Sequence, residues 1–107
     1  MIIAVDFDGT LCENCYPEIG AVNERLVQAL KAQREKGDRL ILWTCRSGEH
    51  LQAAVEWCQG FELQFDAIND NLPEVVSRYG NNSRKITADY YIDDRSMKPW
   101  EDFFQVS

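Results

Sequence analysis

Apolar and polar positions alternate along the chain in two spacings. Residues 2–6, IIAVD, form an unbroken apolar run that ends on an acid, the pattern of a strand covered on both faces. RLILWT at 39–44, LQFDAIN at 63–69 and ADYYIDD at 88–94 read as three further strands. Between the first two, residues 21–36 place Val22, Leu26, Ala29, Leu30 and Ala32 close to helical spacing, and Gly37 follows the basic end REK as a C-cap. A second helix opens at Ser47 or Gly48 and runs to about Gln59, with Leu51, Val55 and Cys58 along one face. PEVVSRYG at 73–80 reads as a short helix started by Pro73 and stopped by Gly80. The stretch GTLCENCYPEIG, 9–20, is rich in turn formers and reads as a loop, while Trp43 and Trp57 read as core.

Strands that alternate with helices in this way predict an α/β fold, a parallel sheet of about four strands with crossover helices on its faces. No repeat, low-complexity segment or linker divides the sequence, so residues 1–107 are expected to form one domain. Ligands of such sheets bind beyond the carboxyl ends of the strands. Asp6, Thr44, Asn69, and Asp93 with Asp94 all fall at such ends.

Composition narrows the partners. The 107 residues carry a net charge of −7, from 18 acidic and 11 basic side chains, which argues against nucleic acid or an anionic membrane as a general partner. A phosphorylated substrate stays compatible, because a metal reverses the charge locally. The start MIIAVDF has no basic leader, no stretch approaches the roughly 20 apolar residues that span a bilayer, and the four cysteines are expected to be reduced thiols in a cytoplasmic protein.

The chemistry concentrates at AVDFDGTLC, residues 4–12. Asp6 and Asp8 stand one residue apart at the end of an apolar strand, and a last strand beside the first would add Asp93 and Asp94. Carboxylates crowded in this way are costly unless a cation lies among them, and Mg²⁺ suits oxygen ligands that share a site with phosphate. In such a site Asp6 can attack phosphorus, and Asp8 can protonate the leaving oxygen and later activate water. Gly9 lets the backbone turn close to a phosphate, Thr44 offers a hydroxyl, and the amides from Cys45 to Gly48 can cradle phosphate oxygens.

DFDGTL at 6–11, a strand ending in Thr44 and IDD at 92–94 together resemble the haloacid dehalogenase-like (HAD) hydrolases, in the right order over nearly the whole chain. The resemblance implies a three-layer Rossmann-like domain and Mg²⁺-dependent hydrolysis of phosphomonoesters through an aspartyl-phosphate. By the same resemblance Asp6 is the nucleophile, Asp8 the acid/base and a metal ligand through its carbonyl, and Thr44 a phosphate contact. Asp93 and Asp94 complete the implied metal set.

Two departures from the family pattern stand out. The lysine expected after the third strand is missing from INDNLPE, 68–74, which leaves Lys85, Arg46 and Lys98 as the cations that can take its place. Neither the 9–20 loop nor the segment after the third strand can hold a cap domain, so the resemblance is to capless members, which act on large phosphorylated substrates or cover the site with a second copy of the chain. Tyr16, Pro17, Trp100 and Phe103 are candidates to line the entrance. Two other readings compete: a phosphate- or metal-binding regulatory module with weak catalysis, favoured by the missing lysine, and a zinc or redox site at Cys12 and Cys15.

Overall fold

The structure, a computed structural model, describes residues 1–79 and 88–93. Its elements run β1 (Ile2–Val5), α1 (Glu24–Glu35), β2 (Arg39–Leu42), α2 (Gly48–Gly60), β3 (Ala67–Ile68), α3 (Pro73–Tyr79) and β4 (Tyr90–Ile92). The four strands form one parallel sheet in the order β3-β2-β1-β4. The last strand therefore lies beside the first, and the chain is an α/β protein with a Rossmann-like parallel sheet. Gly80, Lys85, Asp94, Lys98, Trp100 and Phe103 lie outside the described residues.

Side-chain alternation on β1 and β2 sorts the apolar residues into two clusters. Ile3, Val5, Leu40 and Leu42 pack with Leu26, Val27 and Leu30 of α1 and Ala54 and Cys58 of α2. Ala4 and Ile41 belong to a second cluster with Leu72 and, at its margin, Val75 of α3. The central strands are thus apolar on both faces, which is why their sequences lack a polar alternate position.

Several element boundaries differ from the sequence reading, the start of α1 and the length of β3 for clear local reasons. Helix α1 begins at Glu24 rather than residue 21, because the Asn23 side chain caps it by accepting the Leu26 N–H at 3.2 Å. The residues before the cap pair back onto the loop instead, with Glu13 N–H donating to Ala21 O and Asn23 N–H to Leu11 O. At its far end, Gly37 at φ 103° lets its own N–H reach Arg34 O and the Asp38 N–H reach Gln33 O, closing the helix in a Schellman motif. Strand β3 keeps only Ala67 and Ile68, since Asp66 meets β2 with its side chain: Oδ2 accepts the Leu40 N–H at 2.8 Å. Trp43, expected in the core, is 46% exposed beyond the end of β2, and its ring meets Tyr91 edge-on at 5.7 Å. Trp57 does pack against the core, edge-on to Phe7 at 5.3 Å.

Among the described residues no helix is long and apolar enough to cross a membrane.

Candidate functional site

Register carries the acidic residues to one edge. Val5 of β1 pairs with Leu42 on one side and with Ile92 on the other, so the next residues of three strands, Asp6, Trp43 and Asp93, emerge side by side. Two backbone bonds hold this alignment past the strand ends: Asp6 N–H donates to Ile92 O and Trp43 N–H to Val5 O, both at 2.9 Å. Asp6 is half-buried, and its Oδ1 accepts the Phe7 N–H at 2.7 Å.

After Asp6 the chain turns sharply. Thr10 and Leu11 both donate to Phe7 O, and Gly9 N–H donates to Cys12 O at 2.9 Å. Gly9 sits at φ 81°, a conformation that disfavours any side chain, so this turn accounts for the glycine after Asp8. The turn aims Asp8 at Arg46. The guanidinium donates from Nε to Asp8 Oδ2 and from Nη2 to Oδ1, each at 2.8 Å, a two-pronged bond that uses the planar fork fully.

The remaining Arg46 donors are also engaged. Nη2 reaches Glu18 O at 3.0 Å, and Nη1 reaches Pro17 O and His50 O, both at 3.3 Å. All five N–H groups therefore end on protein oxygens. The side chain is 1% exposed, its guanidinium sandwiched between the Phe7 ring at 5.0 Å and the Tyr16 ring at 5.1 Å. The hydrogen bonds it donates to Asp8 hold its pKa above the ordinary value, against the opposing effect of burial. The Tyr16 ring in turn meets His50 edge-on at 5.5 Å, so the 16–18 stretch lies over the start of α2.

Thr44 follows β2 and is fixed at both ends of the residue. Its N–H donates to Asn69 Oδ1 at 2.7 Å, and its Oγ1 accepts the Arg46 N–H at 3.1 Å. The Arg46 amide is thus taken up by the turn. Cys45 is an exposed thiol beside Thr44, and Gly48, at φ 55°, begins α2. Asn69 adopts φ 51° to reach across from the end of β3.

The structure brings Asp6, Asp8, Thr44, Arg46 and Asp93 to one edge of the sheet, with Gly9 in the turn between them. Asp6 and Asp93, each just past the end of adjacent strands, are hard oxygen donors of the kind Mg²⁺ takes, so the donor chemistry fits that ion. Among the described residues, no three carboxylate, imidazole or thiol side chains converge on a single point. The Asp8 carboxylate faces Arg46, so part of the acidic crowding is relieved by the protein's own cation. The pairing of Arg46 with Asp8 and with the 17–18 carbonyls was missed in the sequence; the signal was an arginine two residues past a strand-end threonine, opposite an acidic turn.

The C-x-x-C pair is split by burial. Cys15 is exposed, whereas Cys12 is buried, its thiol pushed up mainly by desolvation and partly offset by a backbone hydrogen bond at Gly20. Cys58 lies on the buried face of α2, and burial pushes its thiol pKa up to about 12.

This fold and this edge define an α/β protein of the parallel, Rossmann-like type. A conserved protein of Bacteroides thetaiotaomicron has a solved structure that matches it with a TM-score of 0.85 and 42% identity, over 99% of this chain and 88% of that one. The chain belongs to the family of that conserved protein. No family profile matches the chain, and no curated protein does.

Proposed function

We propose that this protein is a capless, three-layer HAD-like phosphohydrolase that cleaves a phosphomonoester through an aspartyl-phosphate with the help of Mg²⁺. The observation that carries the reading is the register of β2, β1 and β4, which lines up the residues after three strands so that Asp6 stands between the Thr44 turn and Asp93. The DFDGTL sequence around Asp6 is the chemistry this reading assigns to that alignment.

In this mechanism an Asp6 carboxylate oxygen forms a bond to phosphorus while the bond to the ester oxygen breaks. Asp8, entering this step protonated, gives the departing oxygen its proton and is left as the carboxylate that accepts from Arg46. It then takes a proton from water, whose oxygen attacks phosphorus, so that inorganic phosphate leaves and Asp6 is regenerated. The Thr44 hydroxyl and the amide of exposed Cys45 bind phosphate oxygens, with Lys85 a further cation for the group. Asp6, the Asp8 carbonyl, Asp93 and Asp94 would hold Mg²⁺, which when bound neutralises charge on nucleophile and phosphate. A cytoplasmic setting suits the reduced thiols, and an open site suits a large phosphorylated substrate or a second copy of the chain as its cover.

Hydrolysis of p-nitrophenyl phosphate with and without Mg²⁺, in wild type and Asp6→Asn, tests this. The expected result is metal-dependent turnover that Asp6→Asn abolishes; metal-independent turnover, or turnover that survives in Asp6→Asn, overturns it. A second reading, a regulatory module that binds phosphate or metal, draws support from the Asp8 carboxylate, both of whose oxygens accept from Arg46. It predicts binding of Mg²⁺ and phosphate without turnover.

A further inference from the structure

We infer that Arg46 is a positioning residue that clamps the entrance loop, through the carbonyls of Pro17 and Glu18, onto the carboxylate of Asp8. The inference rests on the proposed role of Asp8 but assigns Arg46 a task other than contact with phosphate.

Three observations carry it. The five N–H donors of Arg46 are all committed, two of them to Asp8, two to the loop at Pro17 and Glu18, and one to His50 at the start of α2. A phosphate could take one of these donors only by displacing a protein acceptor from a buried site, which leaves that acceptor unsatisfied. The guanidinium is also stacked between Phe7, one residue before Asp8, and Tyr16 of the loop. Its flat faces and its edge thus address the same two segments. Finally, the Asp8 carboxylate is held at both oxygens by one rigid fork, so its orientation depends on Arg46 rather than on its own rotamer.

The geometry links loop and carboxylate mechanically. If residues 16–18 swing away, Arg46 loses two acceptors and one stacking partner, and the fork that orients Asp8 loses its support. Lysine cannot replace it: one ammonium with three donors cannot grip two carboxylate oxygens and three carbonyls at once.

The test combines kinetics with thiol labelling in wild type, Arg46→Lys and Arg46→Ala. In wild type, iodoacetamide should quickly label the exposed Cys15 and Cys45 and spare the buried Cys12 and Cys58. Cys12 lies at the base of the same loop, paired with Val22. In both variants Cys12 should become the third fast-labelled thiol, identified by mass spectrometry, while Cys58 stays protected and reports an intact core. With p-nitrophenyl phosphate and Mg²⁺, kcat should fall about 100-fold in both variants with KM changed no more than about threefold, the signature of a group acting through the acid/base residue. Added guanidinium should restore part of the turnover of Arg46→Ala.

Protected Cys12 in both variants overturns the clamp, as does a rise in KM and in the inhibition constant of inorganic phosphate without loss of kcat. Wild-type activity in Arg46→Lys also overturns it. Should Arg46→Ala not fold, Arg46→Lys carries the test alone. If wild type shows no turnover, the proposed function fails, and the labelling of Cys12 still decides whether Arg46 holds the loop.

Discussion

Asp66 and Leu40 bond to each other twice, the Asp66 N–H donating to Leu40 O at 2.8 Å while the Leu40 N–H donates to Asp66 Oδ2 at 2.8 Å. A side chain here completes a rung of the sheet that backbone would otherwise supply. The other carboxylate oxygen meets Arg34 at 3.2 Å and Arg39 at 3.3 Å, so one acid ties β2, the end of α1 and the entry to β3 together.

That arrangement sets an acid limit to stability. Burial alone would raise the Asp66 pKa, but the Leu40 amide and the two guanidinium groups outweigh it, and the net shift is downward from 3.8. A carboxyl depressed in the folded state stabilises it fully above the unfolded value and loses that contribution as pH falls through the lowered one. Urea unfolding midpoints should therefore drop below about pH 4. Asp66→Asn should flatten that drop while lowering stability at pH 7. A wild-type midpoint that stays constant from pH 6 down to pH 3 would refute the assignment.

Cys58 sets the corresponding alkaline limit. Its thiol, kept neutral chiefly by burial, has its pKa pushed up from 9.0 to about 12. A raised value in the folded state means that stability is complete below the unfolded value and declines as pH rises through the window between the two. Unfolding midpoints should thus begin to fall above pH 9, and Cys58→Ala should remove that part of the slope. The cavity left by the alanine lowers stability at every pH by a separate, pH-independent amount.

Asp8 and Arg46 predict a larger effect at neutral pH. Removing the carboxylate in Asp8→Ala leaves a buried guanidinium with only its backbone acceptors, and loss of one partner of such a buried pair costs about 3 kcal/mol. Chemical denaturation at pH 7 measures this. A change below about 0.5 kcal/mol would mean that the pair behaves as an exposed ion pair does.

Gly20 closes the same loop from below. A Cβ built there would stand 2.5 Å from Glu13 O and 3.0 Å from the Cys15 thiol, too close for either to remain in place. Gly20→Ala should cost about 1–3 kcal/mol. Iodoacetamide should also label Cys12 faster in this variant, since the Glu13–Ala21 bond that seals the loop base must open to admit the methyl group. Unchanged labelling would show that the loop base yields elsewhere.

How legible this site was in the sequence depends on the range of each interaction. IIAVD and RLIL declare strands because both of their faces are buried, and Gly37 declares a helix end because the turn needs its φ of 103°. The strand-end positions of Asp6, Thr44, Asn69 and Asp93 follow from those runs. Arg46 and Asp8 are 38 residues apart, and nothing in either local pattern says that the arginine is buried or that its donors close a loop. Trp43 misled for a related reason: its apolar character suits a core, but it stands one residue beyond the last strand position that the helices cover. Asp66 shortened β3 by offering a side-chain oxygen where periodicity assumes backbone.

Asn69 offers a way to separate backbone strain from bonding at the site. It holds φ 51°, which an L-residue adopts at a cost, and its Oδ1 takes the Thr44 N–H at 2.7 Å. Asn69→Gly relieves the conformational cost and deletes the bond, whereas Asn69→Ala deletes the bond and worsens the strain, since alanine lacks the polar side chain that eases this conformation. The alanine variant should therefore be less stable than the glycine variant by about 1 kcal/mol. If holding Thr44 matters to phosphate contact, both variants should raise KM for p-nitrophenyl phosphate to a similar extent despite their different stabilities. Should KM follow stability instead, the Asn69 side chain serves the fold, and Thr44 keeps its place through the Arg46 amide that its hydroxyl accepts at 3.1 Å.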